Sequence, residues 1–373
     1  MRMNINEKLH SSKLLEAALI ITIAFIVLIM SATAVEASTK VIKPSGKKDG
    51  TDLRRIHNAM KKHSVIKLKK GKKYYLQSPI HVKSNRTIIA TGAVIKCKQN
   101  ILYQDIKKKN YSSLKNFTLR GGVWKSTSKS GFKGTSVAFI HAQNITIEDT
   151  TVKNTNYNGH AFEFVACKNV TMRGVKVIPK GAARKSQEAM VQFDIATVAT
   201  YPRLKGTGKA NGAICKDITM ENCTVKGNRA VSTGYSYKDS KYLNKAHTRI
   251  TLKNNTLTGV HAEGVFLVNT KKAVVSGNKI ISKYTSSGSD KAIGLHIINI
   301  GNITGSNHTV TGNTVKGYKY GLRAYARGSV NLNIVTITGN KLYSKKGKSN
   351  ALMANERFID ELNESNNELY KWQ

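Results

Sequence analysis

The sequence predicts an all-β solenoid, and three observations carry that expectation: a recurring phrase, an apolar–polar alternation inside it, and a column of turn residues behind it. The phrase reads LKNFTLRGGVW from Leu114, QNITIEDTTVKN from Gln143, KNVTMRGVKV from Lys168 and KDITMENCTVKG from Lys216. It returns as TRITLKNNTLTG from Thr248, KAVVSGNKII from Lys272, NHTVTGNTVKG from Asn307 and NIVTITGNKLYS from Asn333. The apolar residue before each turn falls at Leu119, Ile147, Met172, Met220, Leu252, Val275, Val310 and Ile337, in steps of 28, 25, 48, 32, 23, 35 and 27 residues. A strand–turn–strand unit repeating every roughly 20–50 residues marks a chain that stacks its units along one axis.

Within each phrase the residues alternate, as in Ile-Thr-Ile, Val-Thr-Met and Ile-Thr-Leu, the period-2 pattern of a strand with one buried face. Three residues after each anchor stands a column of Gly122, Thr150, Val175, Cys223, Asn255, Asn278, Asn313 and Asn340. Asparagine tolerates left-handed backbone and bonds to its own turn, so these late asparagines suit repeated bends. Stacked in register they form a ladder along the axis. On these motifs the chain resembles the right-handed parallel β-helix proteins of the pectate-lyase-like superfamily.

The stretch 43–95 resembles the entry unit of that superfamily: an acidic turn and helix over Asp49–Met60, a strand ending in Lys-Lys-Gly, then the first coils. Asp52 is expected to cap the helix, with Leu53, Ile56 and Met60 on one face. Such a helix plugs an end whose unpaired strand edge invites aggregation. Residues 355–373 leave the strand pattern, and the helical spacing of Phe358, Ile359, Leu362 and Leu369 predicts a C-terminal helical cap. The expected organisation is a signal peptide over 1–37 and one β-helix domain over 38–373, capped by 38–65 and 354–373.

The leader expectation rests on a basic Met1–Lys13, an apolar run of 14 residues over Ala17–Met30, and small residues offering cleavage after Ala34 or Ala37. An uncleaved anchor over Leu14–Ala34 is the alternative. The four cysteines, Cys97, Cys167, Cys215 and Cys223, make no disulfide framework and no metal-type spacing, so buried thiols are expected, with a Cys215–Cys223 bridge as the other reading.

Charge is the second signal: 61 Lys and Arg against 21 Asp and Glu, a net +40. A surface this basic attracts polyanions, unless the lysines reflect only a generally basic composition. No nucleic-acid module is present, so nucleic acid is not an expected partner. Export and the fold resemblance point to an acidic polysaccharide or anionic cell-wall polymer, met by a secreted and monomeric protein.

Chemistry is expected on the strands reading AFEF, MVQF, AVST, GVFL, GLHI and GLRA, whose third letters form one outward column: Glu163, Gln192, Ser232, Phe266, His296 and Arg323. Glu188 and Asp194 flank Gln192 on that face. In a chain poor in acids, carboxylates gathered there raise one another's pKa for acid–base work or share a cation; ion pairing with nearby lysines is the plain alternative. The resemblance implies carboxylates as acid and base, or as calcium ligands beside an Arg base. The expected catalytic set is Glu163, Glu188, Asp194, Arg323 and His296, with the three carboxylates as optional calcium ligands and no other cofactor.

The long step after Met172 holds two insertions, 179–187 and 197–213, carrying Lys180, Arg184, Lys185, Tyr201, Arg203, Lys205 and Lys209. Rings that stack on sugars among cations that pair with carboxylates suit a substrate rim. The expected substrate-binding residues are Gln192, His160, Tyr201, Arg203, Lys205 and Tyr325. The Arg-x-Pro-x-x-Arg signature of pectate lyases, the polygalacturonase motif set and the Asp-Pro-His of alginate epimerases are all missing. The expected function is therefore left at lyase or glycoside hydrolase of an acidic glycan, or a non-catalytic surface β-helix that binds anionic wall polymers or host glycans.

Overall fold

The computed structural model describes residues 38–132, 134–180, 188–235, 240–286 and 288–373. The expected signal segment and most of the 179–187 insertion, with Arg184 and Lys185, lie outside them. Among the described residues no helix is long and apolar enough to cross a membrane. The unit Lys40–Gln373 winds through three parallel sheets, each coil giving one strand to each. One coil runs Ala142–Glu148, Thr151–Thr155, Phe162–Val165; the next runs Lys168–Arg173, Lys176–Pro179, Ala189–Asp194. These are strands of the first, second and third sheets in turn.

Register follows the sequence pattern. Leu119, Ile147, Met172, Met220, Leu252, Val275, Val310 and Ile337 are successive Cα partners in one unbroken column of the first sheet. All eight are fully buried, each contributing roughly 1.5–3 kcal/mol of apolar burial. Across the core, Phe117, Phe139, Phe164 and Phe193 stack with ring centroids 5.8, 5.7 and 5.5 Å apart.

The asparagine ladder forms in the late coils, inside the bend from first to second sheet. Nδ2 of Asn255, Asn278, Asn313 and Asn340 each donates to the next asparagine's Oδ1, ending on Asn367, at 2.9–3.0 Å. The left-handed residue is not the ladder residue but the one before it: Asn254, Gly277, Gly312, Gly339 and Asn366 have positive φ. The ladder side chains are thereby free to turn inward and satisfy the corner backbone. Asn313 Oδ1 accepts from the Asn278 N–H at 2.9 Å while its Nδ2 donates to the Val275 carbonyl at 2.8 Å. Asn313→Ala leaves both buried groups unpaired, so a loss of about 2–4 kcal/mol is expected in chemical denaturation. Asn367→Ala, with a rung on one side only, should cost less.

Outside the first sheet, the column Arg120, Glu148, Arg173, Glu221, Lys253 alternates in sign, with ion pairs at 2.8, 4.0, 3.6 and 3.4 Å. Each exposed pair is worth little, but the alternation spares the stack the repulsion of like charges in register.

At the N-terminal end the helix Thr51–Lys62 buries Ile56, Ala59 and Met60, with Leu53 partly buried against the same core. Asp52 does not cap it. Gly50 holds the cap position in left-handed backbone, and the buried Asp52 carboxylate accepts from the Ser45 and Tyr75 N–H groups at 2.6 and 2.9 Å. The expected C-terminal helical cap is corrected outright: Ile359–Ser365 and Glu368–Lys371 are strands of a further coil. Ile359, Leu362 and Leu369 pair with Leu332, Val335 and Leu342, so their spacing came from two strands around a left-handed Asn366, not from one helix face. All four cysteines are free and buried.

Candidate functional site

The third sheet carries the site. Ala138, Glu163, Gln192, Ser232, Phe266, His296 and Arg323 are successive Cα partners, so the outward column read from the sequence is one physical line. Beside it run Ile140, Val165 and Asp194. The insertion 197–213 folds back over this face: Tyr201 and Leu204 pack on Ala138, Ile140, Val165 and Ala196.

Under that insertion lie two buried carboxyls, Glu163 and Asp194, 3% and 4% exposed. Thr135 donates its hydroxyl to Glu163, and the Gln192 amide donates to Asp194 Oδ1 at 2.7 Å. Burial pushes Asp194 up to about 7, and the Glu163 charge adds to it. Burial also raises Glu163, against the pull of His160 and the Thr135 hydroxyl. His160 donates Nδ1–H to the Ala189 carbonyl, and its Nε2 lies 3.3 Å from Glu188 Oε2. Burial works against the His160 charge, yet Glu163, Glu188 and Asp194 together hold the imidazole above its usual range. Two buried acids whose charges act on each other favour one protonated and one ionised carboxyl, the arrangement that acid–base work needs.

Around the pair, Arg203 donates to the Tyr201 hydroxyl at 3.2 Å and lies over the Tyr103 ring at 4.8 Å. Lys205 is exposed beside it. Glu188 stands at the rim, half exposed, with Oε2 beside His160, and its charge raises both buried carboxyls. Among the described residues no group of three His, Cys, Asp or Glu side chains is gathered to hold a metal.

His296 and Arg323 belong to a second cluster, four and five coils beyond Glu163, or about 19–24 Å at ~4.8 Å per coil. His296 Nδ1 is 3.3 Å from Glu263 Oε1, and its ring lies between Phe266 and Tyr325 at 5.0 and 5.6 Å. Arg323 lies on the Tyr325 ring at 4.0 Å and donates to Asp290 at 2.8 Å. Tyr325 is thus packed, not an open platform. Neither His296 nor Arg323 can share one scissile bond with Glu163 and Asp194.

The sequence reading missed Thr135, Glu263, Arg229, Asp290 and Gly234. Gly234 is the most telling, because a Cβ there would lie 1.8 Å from Asp194 Oδ1. Extending the second outward line one step past Asp194 reaches it. Gly234→Ala should expel the Asp194 carboxyl from its place, cutting any acid-dependent turnover by at least ~10-fold, with the fold kept by circular dichroism.

No family model matches the chain, and no curated protein matches its sequence. Solved structures do match. The surface adhesin PfbA of Streptococcus pneumoniae superposes with a TM-score of 0.59 at 15% identity, covering 82% of this chain and 79% of that one. The shared fold is a parallel β-helix. The A-module of the Azotobacter vinelandii mannuronan C-5 epimerase AlgE6 aligns with this β-helix at a TM-score of 0.50 and 13% identity, covering 88% and 98% of the two chains. An endo-xylogalacturonan hydrolase of Aspergillus tubingensis gives 0.50 and 12%, covering 89% and 93%. At such identities the likeness is one of fold.

Proposed function

We propose that this β-helix is an exported enzyme that cleaves an acidic polysaccharide on its third sheet. The observation that carries the reading is the buried Glu163–Asp194 pair, with Asp194 raised to about 7. Asp194 protonates the leaving glycosidic oxygen, and ionised Glu163 activates water or attacks the anomeric carbon, as two-carboxylate glycosidases do. Arg203 and Lys205 take the sugar carboxylates beside His160, Tyr201 being packed beneath them rather than open to a sugar ring, and the net charge of +40 draws the polyanion in. Matching folds in a polysaccharide epimerase and a hydrolase support the class without naming the sugar.

A second reading, a non-catalytic surface β-helix, is favoured by one observation: the pair exposes almost no surface. The test is a panel of polyuronides with wild type and Glu163→Gln, scored for reducing ends and for absorbance of unsaturated products. Reducing ends alone that vanish in Glu163→Gln support hydrolysis. Unsaturated products establish a lyase. No product, with salt-sensitive retention on the polymer, establishes the binder.

A further inference from the structure

The outward faces of two sheets treat the same register in opposite ways. On the first sheet, charges alternate from Arg120 to Lys253. On the second, Lys96, Lys125 and Lys153 are successive Cα partners with no acid between them. At about 4.8 Å per coil, three like charges directly opposite one another repel. Among the described residues none of the three is ion-paired. Lys180 joins Lys96 and Lys125 in lining a hollow of about 300 Å³, completed by Ser126, Thr127, Ser128 and Asn154. At the head of the column Tyr75, the Cα partner of Lys96, has the Lys48 and Lys96 ammonium groups 5.7 and 5.4 Å from its ring centroid.

We propose that this column is a second binding site, a track along the second sheet for an acidic polysaccharide carrying about one carboxylate or sulfate per sugar. A polymer lying along the solenoid axis meets one lysine per coil. The ammonium groups are compact charges on flexible stems, suited to either anion without fixed bidentate geometry. The hydroxyls of the hollow face sugar hydroxyls, and the Tyr75 ring offers a stacking surface at one end. Binding replaces repulsion by attraction and releases the polymer's counterions. The site stands apart from Glu163 and Asp194, so it holds whether or not the third sheet is catalytic.

The test compares the triple variant Lys96→Gln, Lys125→Gln, Lys153→Gln with a control, Lys115→Gln, Lys279→Gln, Lys345→Gln, of the same net charge. Binding to polygalacturonate and to heparin is titrated at several salt concentrations. The track variant is expected to lose at least about tenfold in affinity, and about 3 from the slope of log affinity against log salt, with the control nearly unchanged. Its melting temperature should hold or rise, since repulsion is removed. Heparin binding alone assigns sulfate, and polygalacturonate alone assigns carboxylate. Equal losses in both triples reduce the effect to net charge and overturn the track, as does equal binding of single-stranded DNA. Glu163→Gln should bind like wild type here even if it is inert, which separates failure of this site from failure of the catalytic reading.

Discussion

Asp194→Asn should abolish glycan cleavage while making the protein more stable at pH 8. Loss of a general acid costs about 10²–10⁴ in rate. The stability gain follows from proton linkage. The folded-state pKa of about 7 lies above the ordinary 3.8, so the native protein holds a proton that the unfolded chain releases. Stability from this group is fully present below the unfolded value and is lost as pH rises through about 7. At pH 8 the wild type must keep the charge buried, and asparagine removes that cost, a gain of about 1–3 kcal/mol allowing for its coupling to the Glu163 charge. Near pH 4 the two proteins should melt together. Thermal melts at both pH values, beside product assays, check both halves. Retained cleavage ends the acid assignment, and a variant that melts lower at pH 8 ends the buried-charge account.

Glu263→Gln should give the largest loss of stability of any single change on the third-sheet face. Arg229 and Glu263 are 6% and 3% exposed and joined by two bonds, at 3.0 Å from Nε and 2.6 Å from Nη2. Burial pushes the Glu263 carboxyl up, but Arg229 and His296 outweigh it and hold it below its ordinary value. Removing one partner strands a buried charge and costs about 3–5 kcal/mol. The double variant Arg229→Met, Glu263→Leu should recover most of that loss, because an apolar pair of similar volume has no charge to desolvate. Denaturant titration at pH 7 distinguishes the two. An equal loss in both variants would mean that packing, not the ion pair, sets the cost. Stability from Glu263 falls away as pH drops below the usual carboxylate range, the opposite direction to Asp194.

What the sequence made legible was whatever recurs at a matched place in each coil, although the steps range from 23 to 48 residues. The eight anchors and the outward line from Glu163 to Arg323 sit at the same point of each phrase, so aligning the phrases put them in register. Arg229 and Glu263 stand one residue ahead of the AVST and GVFL phrases, at the same 34-residue step that pairs Val231 with Val265, so the register reaches them and only a column confined to the third letter passes them by. Gly234 shows its function only as an absence of side chain against Asp194. Asp52 carries the residue type of a helix cap, yet tertiary partners at Ser45 and Tyr75 claim its carboxylate. The tail from Phe358 to Leu369 deceived because its spacings satisfy a helix and also two strands around a bend. The catalytic set divided for a simpler reason: one line in the sequence is a long line in space.

The four free thiols are distributed along the axis, Cys97 in an early coil and Cys167, Cys215 and Cys223 in the middle. Burial pushes every one upward, Cys167 to about 12 and Cys223 to about 11, so the nucleophilic thiolate is scarce while the coils stay closed. An oxidant can then neither cross-link nor shuffle them without first prising the stack apart. Each is a sealed clock, with Cys215 and Cys223 set in one coil on either side of Lys216–Glu221, started only when that stretch of the solenoid breathes.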